Sequence, residues 1–256
     1  MATGTGIFPT MHPVAGFRLG TASAGIKTQG RPDLVVMEIP ANSTVAGLFT
    51  QNAFCAAPVT LCKQHLAAVS PRYFLTNTGN ANAGTGEQGM IDAQASCIAL
   101  AELQGVSTDQ VLPFSTGVIG EPLPIEKLLA ALPAAVAALD ENTWASAAEG
   151  ILTTDTRPKG ASLQYQPDSA TDKLITITGI TKGSGMIKPN MATMLGYVAT
   201  DAQVDSELLQ RALRLVANKS FNRITVDSDT STNDAVILVA TGASGIHIDE
   251  SNFEHF

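Results

Sequence analysis

The residues best suited to chemistry lie in one stretch, Thr181–Thr200, which reads TKGSGMIKPNMATMLGYVAT. A Gly183-Ser184-Gly185 turn and Pro189-Asn190 crowd the chain just before Met191-Ala192-Thr193. Thr193 is followed by an apolar run, Met194–Val198, which predicts a buried strand. A hydroxyl residue therefore sits where a crowded loop enters a strand, with the small Ala192 before it. An intramolecular N→O acyl shift needs these features: the hydroxyl attacks its own preceding carbonyl, a strained peptide lowers the barrier, and nothing bulky blocks the approach. Once the ester is hydrolysed, Thr193 would carry a free α-amine, whose ordinary pKa is about 7.7–8.0. Such an amine can act as general base for its own hydroxyl, so no histidine is required. Spacing alone fits equally a threonine that merely opens a strand.

Other chemistries find less support. His12, His65, His247 and His255 are remote in sequence from any obvious nucleophile, though a Ser-His-Asp set assembled in space stays open. There is no H-E-x-x-H and no Asp-rich calcium loop. Lys182 precedes Gly183, the wrong order for a phosphate-binding loop, and no G-x-G-x-x-G joins a strand to a helix. Asp227, Asp229 and Asp234 look like a metal cluster on paper, but their loop position predicts turn and Asx-motif duty. Neither a metal nor a cofactor is expected.

The segment KGSGMIKPNMATML resembles the cleavage-site motif of the ornithine acetyltransferase family, the glutamate N-acetyltransferases of arginine biosynthesis. Four further blocks resemble the same family in the same order: Asn77–Gly86 (NTGNANAGTG), Ser115–Glu121 (STGVIGE), Leu152–Lys159 (LTTDTRPK) and Phe221–Asp234 (FNRITVDSDTSTND). The resemblance runs from about Leu75 to Gly245, with a weaker match before it. It implies a layered α/β fold similar to N-terminal-nucleophile hydrolases. It further implies cleavage between Ala192 and Thr193, with residues 1–192 as α-chain and residues 193–256 as the start of a β-chain.

The resemblance also assigns roles. Thr193 becomes the nucleophile. Thr116 and Gly117, placed by sequence in a turn after Phe114-Ser115, form the oxyanion hole; a hydroxyl and a glycine N–H can converge on one oxygen because glycine lets the backbone approach closely. Lys182 contacts substrate, gripping a carboxylate. Thr156 is the substrate-binding threonine, with Thr154 as the alternative, while Asp155 receives no role. Read blandly, the same residues are a structural turn and a solvated lysine. The implied substrates are N-acetylornithine and glutamate, exchanged through an acetyl-Thr193 ester. Some members of that family use acetyl-CoA as a donor, and that use stays open here. Two α and two β chains are expected to associate. A self-cleaving aminopeptidase or amidase of the same fold is the nearer alternative, and a non-catalytic assembly subunit the more distant one.

Several elements must position these residues. Asp33–Ile39 and Thr44–Thr50 are β-branched runs separated by the turn residues Pro40–Ser43. Tyr73–Thr76 predicts a short strand running into the Asn77–Gly86 loop, whose asparagines and glycines suit left-handed turns. Gln88–Leu103, Ile125–Leu132 and Thr143–Leu152 predict helices. Lys173–Ile180 alternates as a half-buried strand. Ser206–Asn218 predicts a helix capped by Asp205, its apolar stripe made of Leu208, Leu209, Ala212, Leu215 and Val216. Asn222–Val226 and Ala235–Ala240 return to strand. Without a regular βαβ rhythm, layered α/β is expected over a doubly wound sheet. The closing segment IHIDESNFEHF starts as a helix would and stops, which predicts either a fragment of a longer chain or a truncated gene product.

Composition agrees with a folded core and excludes some partners. The 256 residues are 45% hydrophobic and 15% charged, with a net charge of −8. An acidic chain without a basic run has no general attraction for nucleic acid or anionic membrane. Cys55, Cys62 and Cys97 are too few and too unevenly spaced for a disulfide framework, so free thiols are expected. The first twenty residues lack a basic segment followed by an apolar run, and no apolar stretch approaches about 20 residues, so a cytosolic protein is expected.

Overall fold

The computed structural model describes residues 6–26, 28–167, 172–188, 194–227 and 229–256. Strands β1 (Arg18–Ala22), β2 (Leu34–Glu38), β4 (Tyr73–Asn80) and β5 (Val111–Val118) form one sheet in the order β1-β2-β4-β5. Its first two pairings are antiparallel and β4–β5 is parallel. The second sheet holds β3 (Thr44–Phe49), β6 (Lys159–Tyr165), β7 (Ile175–Lys182), β8 (Leu195–Thr200) and β10 (Ala235–Ala240), in the order β3-β10-β8-β7-β6. There β10–β8 is the parallel pair and the rest are antiparallel. A small two-stranded pairing joins β9 (Gln203–Val204) to β11 (His247–Ile248).

The two-residue period of a strand separates the cores, because successive side chains point to opposite faces. From β2, Val35 and Met37 enter the core between the sheets, while Leu34 and Val36 enter the core under helices α2 (Gly86–Gln104) and α3 (Ile125–Ala137). From β10, Ala235, Ile237 and Val239 face the intersheet core. Val236, Leu238 and Ala240 meet Leu208, Leu209 and Leu213 of α5 (Ser206–Lys219). The result is four layers, helix–sheet–sheet–helix. Helix α1 (Ala57–Ala68) packs on β5, and α4 (Trp144–Gly150) sets Trp144 against Phe17 in the intersheet core with ring centroids 5.1 Å apart. Phe74, Phe114 and Tyr197 bridge the sheets, and the Tyr197 hydroxyl shares a 2.8 Å hydrogen bond with Thr76.

Most expected elements form, with instructive departures. β4 runs four residues past Thr76 because β2 and β5 both pair with its extension. Helix α3 continues through Pro133, held by Leu128, Leu132 and Ala135 in the helix–sheet core, so packing outweighs the lost backbone bond. In α5 the buried face is Leu208, Leu209, Ala212, Leu213 and Ala217, whereas Leu215 and Val216 are exposed. Asp205 occupies the N-cap position without a side-chain cap bond. Asn222–Val226 is not a strand: Phe221–Arg223 forms a 3-10 turn, and the Val226 N–H reaches the Ile187 carbonyl. The closing segment forms β11 and a 3-10 turn at Phe253–His255 instead of a helix. The three cysteines are free, with Cys62 and Cys97 buried. Among the described residues no helix is long and apolar enough to cross a membrane.

Candidate functional site

The expected nucleophile Thr193 and its neighbour Ala192 lie outside the described residues. The structure describes both flanks. β7 ends at Lys182, and the chain re-enters the second sheet at Met194, one residue before β8. Met194 is held at its backbone N–H by Asp234 Oδ1 at 2.8 Å. Asp234 in turn precedes β10, whose Ala235 pairs with Leu195.

A cavity of about 520 Å³ opens beside this point. Its wall takes Thr78, Gly79, Thr116 and Gly117 from β4 and β5, Lys182 from β7, and Ser231, Thr232 and Asn233 from the loop before β10. Leu152, Thr153 and Thr154 close another side, with Arg31 and Met186. The structure thus brings Thr116, Gly117 and Lys182 together on one cavity. Of the two candidate threonines, both exposed, Thr154 is on the wall and Thr156 lies two residues further along, outside the lining.

Thr116 and Gly117 are not in a turn. They belong to β5, where Thr116 pairs with Thr78 and Gly117 with Gly79 before the register slips at Asn80. A β-bulge of this kind re-aims the strand end. Gly117 has φ +142°, and a Cβ there would stand 2.2 Å from the Gly79 carbonyl carbon. Only glycine fits. The Thr116 side chain is buried at the wall and its hydroxyl makes no hydrogen bond among the described residues. Around it the polar groups are spent. Ser115 Oγ donates to Asn77 Oδ1 at 2.5 Å, and Thr78 Oγ1 to the Gly150 carbonyl at 2.7 Å. The Asn80 amide donates to the carbonyls of Glu121 and Pro122, and Asn82 to Gly89. Asn82 has φ +46°, and Gly79, Gly84 and Gly86 also have positive φ, so the Asn/Gly segment supports the wall as its composition predicts.

Lys182 is a buried ammonium, 7% exposed. Burial lowers its pKa, opposed by the carboxylates of Asp155 and Asp234, while Lys159 adds to the lowering. Asp155 fixes the loop after Lys182: its Oδ1 accepts from the Gly183 N–H at 2.8 Å and from Lys159, whose ammonium also donates to the Gly183 carbonyl at 3.0 Å. Burial pushes the Asp155 carboxyl up, yet those hydrogen bonds win and its pKa is lowered. Met186 has φ +57°, with its N–H on Asp227 Oδ2 at 2.6 Å. A positive φ is uncommon for a non-glycine residue. Asp229 donates its backbone N–H to Asp227, so these aspartates order turns. Among the described residues no group of three metal-ligating side chains converges.

Sequence reasoning missed two members of the site. Asn233 and Asp234 read as turn residues before a strand. They are instead buried at 7% and 2% exposure, between the two sheets' parallel strand pairs.

The ArgJ family model matches residues 18–256. The chain belongs to the ArgJ family. It is 62% identical over 246 residues to the arginine biosynthesis bifunctional protein ArgJ of Pseudomonas fluorescens strain Pf0-1, covering 96% of this chain and 60% of that protein. It is 54% identical over 243 residues to the ArgJ protein of Methylococcus capsulatus, covering 95% and 59%. The chain therefore spans about 60% of the length of these curated ArgJ relatives. Among solved structures it is similar to ornithine acetyltransferase from Mycobacterium tuberculosis, crystallised with ornithine. That match has a TM-score of 0.61 and 33% identity over 71% of this chain and 94% of that one. A β-aminopeptidase from Burkholderia matches with a TM-score of 0.54 at 14% identity, over 93% and 75%, which extends the shared fold beyond the ArgJ family.

Proposed function

We propose that the chain cleaves itself between Ala192 and Thr193 and then transfers an acetyl group from N-acetylornithine to glutamate through an acetyl-Thr193 ester. On this reading residues 1–192 form an α-chain and residues 193–256 begin a β-chain, and the two remain associated, two of each per assembly. The observation that carries it is the single cavity on which Thr116, Gly117 and Lys182 meet, beside the strand that follows Thr193.

The free amine of Thr193 takes the proton of its own hydroxyl as the oxygen attacks the acetyl carbonyl. Thr116 offers its unspent hydroxyl, and Gly117 its backbone N–H, to the oxyanion that forms; such donors act most strongly where water is excluded. Lys182 holds the substrate carboxylate, and its buried position favours binding an anion that neutralises it. Thr156 contacts substrate, with Thr154 on the wall as the alternative. Ornithine leaves, and the amine of glutamate attacks the ester to give N-acetylglutamate. The ArgJ relatives are described as bifunctional, which supports acetyl-CoA as a second acetyl donor.

The test is acetyl transfer from labelled N-acetylornithine, measured with and without glutamate. Label appearing in N-acetylglutamate, with an acetylated peptide beginning at Thr193, supports the reading. Release of free acetate at the same rate in both arms would favour an amidase instead.

A further inference from the structure

The cavity carries more positive charge than one substrate carboxylate uses. Its charged lining residues are Arg31, Asp33 and Lys182. The acid is already engaged: Asp33 Oδ1 accepts the Ala24 N–H at 2.6 Å, and Oδ2 accepts the Ile26 N–H at 2.7 Å. Two cations therefore line this cavity, in a chain whose net charge is −8. They stand at different depths. Lys182 is buried at the end of β7, whereas Arg31 is exposed, on the connection between β1 and β2.

Arg31 has donors to spare. Its Nη2 donates to the Leu152 carbonyl at 3.4 Å, a long hydrogen bond. Among the described residues it makes no ion pair. A guanidinium has five N–H donors in a planar fork that matches a carboxylate. The arginine is also anchored. Ala22 pairs with Leu34 across the base of the β1–β2 connection, Lys127 of α3 donates to the Gly25 carbonyl at 2.9 Å, and the Thr78 N–H of β4 donates to the Asp33 carbonyl at 2.8 Å. The wall segment that Arg31 touches at Leu152 is tied in turn to the chain after β7, because the Ser184 hydroxyl donates to the Thr154 carbonyl at 3.3 Å. Arg31 and Lys182 are thus fixed to one wall of one cavity.

We propose that Arg31 selects the acceptor by holding its side-chain carboxylate while Lys182 holds its α-carboxylate. This assignment rests on the acetyl-transfer reading above and specifies the substrate class of that site, a dicarboxylic amino acid. The acceptor extends from Lys182 at depth to Arg31 at the mouth, in a cavity of about 520 Å³ that suits a small molecule. The donor differs in the group that meets Arg31. N-acetylornithine has one carboxylate, which goes to Lys182, and a side-chain ammonium, which Arg31 repels. Glutamate therefore gains a contact that ornithine lacks, and the acetyl group passes forward to glutamate in preference to returning to ornithine. Attraction for one ligand and repulsion of the other both contribute to such discrimination.

The experiment compares the wild type with Arg31→Ala and Arg31→Lys in two assays. The first measures acetyl transfer from N-acetylornithine to glutamate and to glutamine, beside exchange of labelled ornithine into N-acetylornithine. The second needs no catalysis: calorimetric titration with glutarate and with butyrate. The wild type should prefer glutamate to glutamine and bind glutarate more tightly than butyrate. Arg31→Ala should raise the glutamate KM about 10–100-fold, the loss of one charged hydrogen-bonded contact, with kcat and the KM for ornithine exchange moving far less. Its glutarate affinity should fall to that of butyrate, and Arg31→Lys should keep part of both preferences. Arg31→Ala with the wild-type glutamate KM and the wild-type preference for glutarate would overturn the assignment and leave acetyl transfer intact. A wild type that shows neither transfer nor exchange would overturn the acetyl-transfer reading, and the titrations would then decide the dicarboxylate site by themselves.

Discussion

The Asn233 side-chain amide donates to the Ser115 carbonyl at 2.9 Å and to the Ala81 carbonyl at 2.6 Å. One side chain thus ties the loop before β10 to the end of β5, across the gap between the two sheets. It fixes where Thr116 stands relative to the strand that follows Thr193. Asn233→Ala would leave both carbonyls without this donor in a buried place. An unsatisfied buried group costs about 1–3 kcal/mol, so a loss of about 2–4 kcal/mol is expected in urea denaturation. Asn233→Asp should be as damaging, because the carboxylate cannot donate.

Gly117→Ala should fail for a different reason. The new Cβ would meet the Gly79 carbonyl carbon at 2.2 Å and the Asn80 nitrogen at 2.4 Å, at a φ that L side chains avoid. Both neighbours are backbone and cannot swing aside. A loss of about 3 kcal/mol or more is expected in the same denaturation assay. Gly120→Ala is the contrast: it shares a positive φ but has nothing within 4 Å, so the cost should be about 1 kcal/mol.

Thr116 separates function from stability. Its hydroxyl has no hydrogen bond to lose among the described residues. Thr116→Ala should therefore unfold within about 1 kcal/mol of the wild type. On the proposed reading of Thr116 as an oxyanion donor, acetyl transfer should fall about 10²–10³-fold. Thr116→Ser, which keeps the hydroxyl, should recover most of the rate. Steady-state assays beside urea melts check all three.

Asp234 should give stability a pH dependence of definite sign. Its carboxyl sits near 7 in the folded chain against an ordinary 3.8. The folded state thus keeps a proton that the unfolded state releases between those values. The stabilisation is full below the unfolded pKa and is lost as pH rises through the folded one. Asp234→Asn is neutral throughout. Its stability relative to wild type should therefore grow by about 1.4 kcal/mol per pH unit between pH 4 and 7, then level off. Urea denaturation at several pH values measures this slope.

Much of this architecture was legible because the strands obey simple patterning. Ala235–Ala240 and Asp33–Ile39 are apolar on both faces and became interior strands β10 and β2. The strand β5 was not legible, since Pro113 and the polar Ser115-Thr116-Gly117 argue against a strand. It is an edge strand, where proline is tolerated. Hence Thr116 and Gly117 read as a turn. In α5, Leu215 and Val216 look like part of the buried stripe, yet Leu213 and Ala217 fill the sheet-facing positions. The candidate residues Thr116, Gly117 and Lys182, which the structure brings to one cavity, were singled out by resemblance to a family, since neither spacing nor periodicity marks them. Asn233 and Asp234 were missed because their importance is a matter of burial and partners, which a local Asn-Asp pair does not reveal.

The central claim is that Thr193 becomes a chain N-terminus by the protein's own chemistry. Intact mass of the purified chain, beside a Thr193→Ala control, tests it most directly. Two fragments that part between Ala192 and Thr193 in the wild type, and a single whole chain in the control, are the result expected. One whole chain in both, or the same two fragments in both, would contradict the account.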